Sequence, residues 1–244
     1  TVTISTPEEL ERFRDDVNSG NTYEGITVEL ENDIDMSGAE WEPIGGCLSD
    51  NQTTNFNGTF DGKGHKVTNV NIVSPNIITS SYFPANAYAG FFGYLQRDGE
   101  IKDLGVDISI NFSTQATVNV GGITAANFGK ITNCYVTGSI NFSSTLPSTA
   151  GGIAANNNIT GNTGGTISNC YSHVDIVNNA GISAYTGGIA GSNDYEVLNC
   201  YSTGSLSSSA SYQTNTGGII GRNAVLGTTV SNCYYLEGTA AGGI

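Results

Sequence analysis

Positive charge is scarce in this chain. Of its 244 residues 12% are charged, and eight Lys and Arg stand against 22 Asp and Glu, for a net charge of −14. So few cations exclude a phosphate backbone as a partner, and the same balance argues against an anionic membrane surface. No apolar run approaches the ~18 residues of a membrane span, so membrane insertion is not expected. No charged-then-apolar leader opens the chain either. The start, TVTISTPEEL, reads as a mature end or a fragment boundary. Long apolar patterns at i, i+3, i+4 and i+7 are missing, which excludes a helical repeat. What is abundant is glycine, 33 residues, together with Ser, Thr and Asn. That composition suits short strands joined by many turns, and the length is ample for one continuous core.

The phrase aliphatic-x-Asn/Asp-(Val, Leu or Cys) recurs as VTNV, IKDL, ITNC, ISNC, VLNC and VSNC, ending at Val70, Leu104, Cys134, Cys170, Cys200 and Cys233. From Leu104, Cys134, Cys170 and Cys200 to the first glycine of the next Gly-Gly pair, at 121, 151, 187 and 217, is 17 residues each time. The return from those glycines to the next Cys takes 13, 19, 13 and 16 residues. One arm of the repeat has constant length and every insertion falls in the other. Constant arms imply segments stacked in register, which is the signature of a solenoid. The fixed arms, such as NCYVTGSINF, are rich in β-forming residues. The expected fold is therefore all-β, a right-handed parallel β-helix of about six coils stacked ~4.8 Å apart. The hand follows the general bias of parallel crossovers.

Within this register the four Cys replace core aliphatics and should form an inward thiol ladder, since free Cys behaves as a small buried hydrophobe. A ladder spreads sulfurs along an axis instead of converging them, so neither a metal site nor any cofactor is expected. Cys47 makes the count odd and has no assigned role. The preceding Asn69, Asp103, Asn133, Asn169, Asn199 and Asn232 are expected at a corner, in left-handed backbone and stacked as a polar ladder. The Gly-Gly pairs are expected at a second corner with positive φ.

A β-helix needs protected ends. Thr6, Pro7 and Glu9 form a capping-box signature for an amphipathic helix over 7–19, with Leu10, Phe13 and Val17 on one face and Gly20 as its stop. Residues 1–66 are read as an N-terminal cap with the first coils and residues 67–244 as the repeats, in one continuous domain. At the far end Gly-Gly-Ile returns at Gly242, nine residues after Cys233 instead of 17. Either the last coil is irregular or the fragment stops short of its partner.

With GFFGYLQRDGEIKDLGV (residues 90–106), the later Gly-Gly-Ile phrases and the upstream segment from EWEPIGG to FNGTFDGKGHKVTNVNI (residues 41–72) in view, the chain resembles the bacterial GLUG-motif repeat family. Gly90-Phe91-Phe92-Gly93 matches the motif for which that family is named. The resemblance implies the same β-helix and an extracellular or cell-surface setting. Its members include adhesin-like repeat proteins and the non-catalytic regions of IgA-cleaving metallopeptidases. It carries over no catalytic residue; the His-Glu-x-x-His of those peptidases has no counterpart around His65 or His173.

Strand alternation sends the residue after each Cys outward. Tyr135, Tyr171, Tyr201 and Tyr234 should form an aromatic stripe able to bind sugar rings or serve as an adhesive surface, or else stack on one another to stiffen the coil. The longest variable arm, NNNITGNTGG, offers Asn156, Asn157 and Asn158 as a second candidate surface. The function read from the residues is a non-enzymatic adhesin-like or spacer module, part of a larger surface protein, whose partner is a glycan or a host or matrix surface. The alternative is a carbohydrate-active enzyme domain using Asp33, Asp35, Asp61 or Asp103, with Lys63, Lys66 and Lys102 nearby. Turn and corner duty would equally account for Asp61 and Asp103.

Overall fold

The computed structural model describes residues 1–37, 39–46, 48–49, 52–79, 84–161, 163–225 and 227–240. Cys47 and Gly242 lie outside the described residues. The chain winds as a right-handed parallel β-helix whose central coils each contribute to four faces. One coil shows the plan: Lys130–Thr132 on face 1, Tyr135–Ser144 on face 2, Ser148–Gly151 on face 3 and Ala154–Asn157 on face 4, before Thr166–Ser168 returns to face 1. Face 1 is an eight-stranded sheet that runs from Val2–Ile4 to Thr229–Ser231. Every neighbouring pair within it is parallel and in register. Face 2 keeps its register over the ten residues of Gly105–Thr114 and Tyr135–Ser144. The antiparallel exceptions lie at the N-terminal end and in one loop: Asn76–Ile78 with Asn86–Ala89, Leu48–Ser49 with Gln52–Thr53, and Ile159–Thr160 with Thr163–Gly164.

The core is a column of stacked apolar side chains, such as Phe60, Ile101, Ile131, Ile167 and Val197 on face 1, all 0% exposed. The cysteines belong to it. Cys134, Cys170 and Cys200 are buried and Cys233 is half-buried, and all four are free thiols. Each thiol sits 3.2 Å from the carbonyl of the residue two before it, Thr132, Ser168, Leu198 and Ser231 in turn.

The N-terminal end of the core is covered by α1 (Pro7–Asn18). Thr6 accepts from the Glu9 N–H while the Glu9 carboxylate accepts from the Thr6 N–H, the capping box read from the sequence. Leu10, Phe13 and Val17 are buried, and Phe13 packs edge-on against Phe56 at 5.5 Å and tilted on Phe60 at 5.6 Å. Ser19 closes the helix and Gly20 takes φ +111°.

Three expectations need correction. The Gly-Gly pairs do not use positive φ: no glycine of the pairs beginning at 121, 151, 187 and 217 is among the left-handed residues. They are glycine because faces 3 and 4 meet in a corner too tight for a side chain. A Cβ would stand 2.0 Å from the Thr124 carbonyl at Gly121, 1.9 Å from that of Ala154 at Gly151 and 2.0 Å from that of Ala190 at Gly187. Second, VTNV is out of step with the later phrases. Phe60 and Asp61, not Val67 and Thr68, pair with Ile101 and Lys102, and Val70 pairs with Ile108 across a bulge in face 2. The corner of that coil is the turn at residues 62–65, with Lys63 at φ +54° and Gly64 at φ +84°. Asn69 keeps the expected left-handed φ of +56°, but at the bulge. The third correction concerns Asn157 and is taken up with the site.

Candidate functional site

Between faces 1 and 2, Asp103, Asn133, Asn169, Asn199 and Asn232 hold φ between +51° and +55°. Their side chains form an outer ladder along the rod. Asn232 donates to Asn199 (3.1 Å), Asn199 to Asn169 (3.1 Å), Asn169 to Asn133 (3.2 Å) and Asn133 to Asp103 (3.0 Å). The acceptor-only carboxylate of Asp103 terminates the series.

The tyrosines follow on face 2. The rings of Tyr135 and Tyr171 stack 4.9 Å apart at 3°, and those of Tyr171 and Tyr201 stack 5.0 Å apart at 6°. The Tyr135 ring lies over Gly105 of the preceding coil, where a Cβ would come within 2.3 Å of it. Parallel stacking has a chemical consequence: the inner rings spend their π faces on each other and show solvent only their edges and hydroxyls. Burial, then the neighbouring Tyr135 and Tyr201, push the Tyr171 phenol above its usual range. Tyr234 pairs in register with Tyr201 but its ring does not join the stack. Exposure rises to 46% at Tyr201 and 69% at Tyr234, so open ring faces are concentrated at the C-terminal end of the stripe. There Tyr201, Thr203, Tyr234, Tyr235 and Leu236 line an apolar hollow of about 360 Å³.

Beyond the stripe, face 2 presents small polar side chains already bonded along the rod. Thr137 donates to Asp107 (2.9 Å), His173 Nδ1 lies 2.7 Å from the Thr203 hydroxyl, and Ser205 gives both its N–H and its hydroxyl to Asp175 at 2.8 Å. The Ser205 backbone N–H, then its hydroxyl, hold the Asp175 carboxyl below the usual carboxylate range. At the bulge a shallow groove of about 410 Å³ is lined by Ser37, Asn69, Asn71, Asp107, Ser109 and Ser139.

The asparagine loop divides. Asn157 is 0% exposed and points inward, which removes it from the ligand-facing set. It stands in an inner ladder beneath the corner of faces 4 and 1, where Asn127 donates to Asn157 (2.7 Å), Asn157 to Asn193 (2.8 Å) and Asn193 to Asn223 (3.2 Å). The physical reason is backbone satisfaction: this corner strips carbonyls and N–H groups of strand partners, and Asn157 Nδ2 also caps the Glu196 carbonyl (3.1 Å) while Asn127 Oδ1 accepts from the Gly129 N–H (3.2 Å). Asn156 is half-buried and donates to Asn119 (2.7 Å). Asn158 is half-buried, with its backbone N–H on the Asn127 carbonyl (2.8 Å). The loop then folds into the Ile159–Thr160/Thr163–Gly164 hairpin, and Arg97 donates to its Thr160 carbonyl (2.8 Å).

The carboxylates weighed for catalysis all have partners. Asp33 accepts from the Lys66 N–H (3.1 Å) beside His65, and Asp35 accepts from Ser37 (2.5 Å, hydroxyl) and Asn69 (2.7 Å). Asp61 is buried, accepts from the Lys63 N–H (2.8 Å) and pairs with Lys102 (3.0 Å). Among the described residues no group of three or more His, Cys, Asp or Glu gathers as a metal site, and no helix is long and apolar enough to cross a membrane.

No family model matches the chain. It is 26% identical over 136 residues to a protein of Evansella cellulosilytica named "Putative Gly-rich membrane protein". That match covers 54% of this chain and 14% of the relative, so the chain spans only a small part of the relative's length. Among solved structures, the crystal structure of "a putative immunoglobulin A1 protease" from Bacteroides ovatus superposes with a TM-score of 0.66 at 23% identity, over 97% of this chain and 75% of that one. The likeness is one of fold: the two chains share the parallel β-helix.

The inner asparagine ladder is the feature that reasoning from the sequence missed, although a signal was present. Asn127, Asn157, Asn193 and Asn223 each fall six residues after the first glycine of a Gly-Gly pair, at 121, 151, 187 and 217. A polar residue locked to a structural corner at constant spacing belongs to the corner and not to the loop that follows it.

Proposed function

We propose that the chain is a GLUG-type adhesive module of a secreted or surface-exposed bacterial protein, without enzymatic activity, that binds glycan at the C-terminal end of the tyrosine stripe. The observation that carries this reading is the exposed pair Tyr201 and Tyr234 at the mouth of the apolar hollow on face 2. Sugar rings bind by laying their C–H face on an aromatic ring, which needs an open π face, and the stack leaves such faces at this end. The flat, hydroxyl- and amide-rich remainder of face 2 would accept further hydrogen bonds from an extended chain of sugars. The bonded state of Asp33, Asp35, Asp61 and Asp103 supports the non-enzymatic reading over a glycosidase, because each is engaged in a turn, ladder or ion pair.

A glycan and matrix-protein panel tests this, run with wild type beside Tyr201→Ala/Tyr234→Ala and Tyr135→Ala variants, with a reducing-sugar assay on the same samples. Saturable binding lost in the double variant and kept in Tyr135→Ala is the expected result. Release of reducing sugar would overturn the reading in favour of a carbohydrate-active enzyme. Binding that survives the double variant would move the site to another face.

A further inference from the structure

Few side chains of this molecule can give up an electron at the surface. Its single Trp and single Met, Trp41 and Met36, are 1% and 2% exposed. Cys134, Cys170 and Cys200 are buried, and a thiol reacts with oxidants according to its thiolate character and exposure. Cys233 is half-buried, with its thiol on the Ser231 carbonyl. Among the described residues, what a one-electron oxidant meets at the surface is therefore chiefly tyrosine.

The tyrosines differ in what lies beside them. Tyr23 gives its hydroxyl to Asp16 (2.8 Å), and Tyr185 bonds to Gln213 (3.1 Å) beneath the Arg222 guanidinium. Tyr88 and Tyr94 meet at 58° with their ring centres 6.5 Å apart. Only in the stripe do phenols face each other closely and in parallel. Tyr135 and Tyr171 are 4.9 Å apart at 3°, and Tyr171 and Tyr201 are 5.0 Å apart at 6°. Backbone register places all three rings alike, Tyr135 against Tyr171 and Tyr171 against Tyr201. Each carbon ortho to a hydroxyl thus lies opposite the same carbon of the next ring. The ring edges that carry these carbons and the hydroxyls face solvent.

We infer that the stack of Tyr135, Tyr171 and Tyr201 is a site of oxidative cross-linking, at which a haem peroxidase with hydrogen peroxide joins neighbouring coils. The oxidant takes one electron and one phenolic proton from each of two adjacent rings. The two phenoxyl radicals pair their electrons at the ortho carbons and a carbon–carbon bond forms. The two ortho hydrogens then move to the oxygens, which restores both phenols. Two hydrogen atoms leave the protein, and one hydrogen peroxide breaks its O–O bond and is reduced to two waters. A second ring held at 4.9 Å is present at an effective concentration far above that of any ring on another molecule. Closing the bond requires a ring to swing out of the stack. Tyr201 has one face uncovered for this, and Tyr171 belongs to both pairs. The product is a covalent staple between consecutive coils, closing a loop of 36 residues from Tyr135 or 30 residues to Tyr201. The inference does not rest on the glycan reading, because it uses ring edges and hydroxyls and not the open face of Tyr234.

Treating dilute, folded protein with a haem peroxidase and limiting hydrogen peroxide tests this, read by intact mass, by biphenol fluorescence and by mapping of joined peptides. Wild type should give a monomer lighter by two hydrogen atoms, with the link between Tyr171 and either Tyr135 or Tyr201. Tyr171→Phe keeps a stacked ring without a phenol and should lower the yield about tenfold or more. Tyr135→Phe and Tyr201→Phe each leave one pair intact and should still give a linked monomer. Tyr212→Phe removes a tyrosine that is 83% exposed and has no stacked neighbour, and should leave the yield unchanged. A yield that Tyr171→Phe does not reduce overturns the inference. So does a product made only of cross-linked dimers that increase with protein concentration. Oxygen added at Met36, Trp41 or the cysteines, with no loss of hydrogen from the stripe, overturns it as well.

Discussion

Gly151 and Gly25 make different demands on the same residue type. At Gly25, φ is +71° and a Cβ would meet nothing within 4 Å, so a substitution there costs only backbone strain. Gly151 has no positive φ, but a Cβ would stand 1.9 Å from the Ala154 carbonyl and 2.8 Å from the Gly191 N, both backbone atoms that cannot swing aside. Gly151→Ala should therefore destabilise the fold by at least ~2 kcal/mol and Gly25→Ala by about 1 kcal/mol, read from urea midpoints. The two asparagine ladders separate in the same way. Asn157→Ala removes an amide at a fully buried site and leaves the Asn127 donor and the Glu196 carbonyl without partners, a loss of about 2 kcal/mol or more. On the outer ladder the backbone matters more than the amide. Asn169→Gly, at φ +55°, should stay within about 0.5 kcal/mol of wild type, while Asn169→Ala should cost about 1 kcal/mol. Equal losses for Gly and Ala at 169 would mean that the exposed amide ladder, not left-handed strain, holds that corner.

Stacked into columns, single residues acquire properties that none has alone, and the cysteine column is the clearest. Burial, then the adjacent Cys134, holds the Cys170 thiol well above its usual range, and the neighbouring Cys170 together with burial pushes Cys200 up to about 12. Cys233 is raised by Cys200 and by partial burial. A thiol whose folded pKa is raised keeps its proton when the unfolded chain has lost it. Its contribution is intact below the unfolded value of ~8.5 and is lost as pH climbs from there towards 12. Urea midpoints should thus fall between pH 8.5 and 9.5, before most tyrosines titrate, and fall less steeply in Cys200→Ala. An unchanged slope would mean that the column titrates as it does in the unfolded chain. This column was legible in the sequence because Cys134, Cys170, Cys200 and Cys233 hold one place in a repeat of constant arm, and so was α1, whose capping box is local. The offset of VTNV was not legible: the turn at residues 62–65 and the bulge at Asn69 restore the count of residues while shifting the register, and an alignment of phrases cannot see two compensating changes. The site was legible only in outline. Alternation fixed the outward direction of the tyrosines, but whether their rings stack, and so where a π face stays open, depends on side-chain packing that no spacing encodes.

For the molecule as a whole, the consequence of a solenoid is that each coil touches only its neighbours, so stability is distributed along the rod instead of being shared by all of it. The coils of Tyr135–Ser144 and Tyr171–Ala180 are paired on both sides. The first coils have α1 over them, and among the described residues Thr229–Ser231 and Tyr234–Tyr235 have a strand partner on one side only. Amide exchange should be slowest in the two central strands, intermediate in Val2–Ile4 and Thr27–Leu30, and fastest in Thr229–Ser231. Removing the helix cap locates the boundary of cooperativity. Thr6→Ala should cost about 1 kcal/mol. Its effect should appear as faster exchange in Val2–Ile4 and Thr27–Leu30, with Glu196–Leu198, five rungs or more along face 1, unchanged. If instead every coil loses protection by the same factor, the rod opens only as one unit and the nearest-neighbour account of its stability is wrong. In that case Thr229–Ser231 could not fray on its own either, and its exchange would follow the cooperativity of the whole.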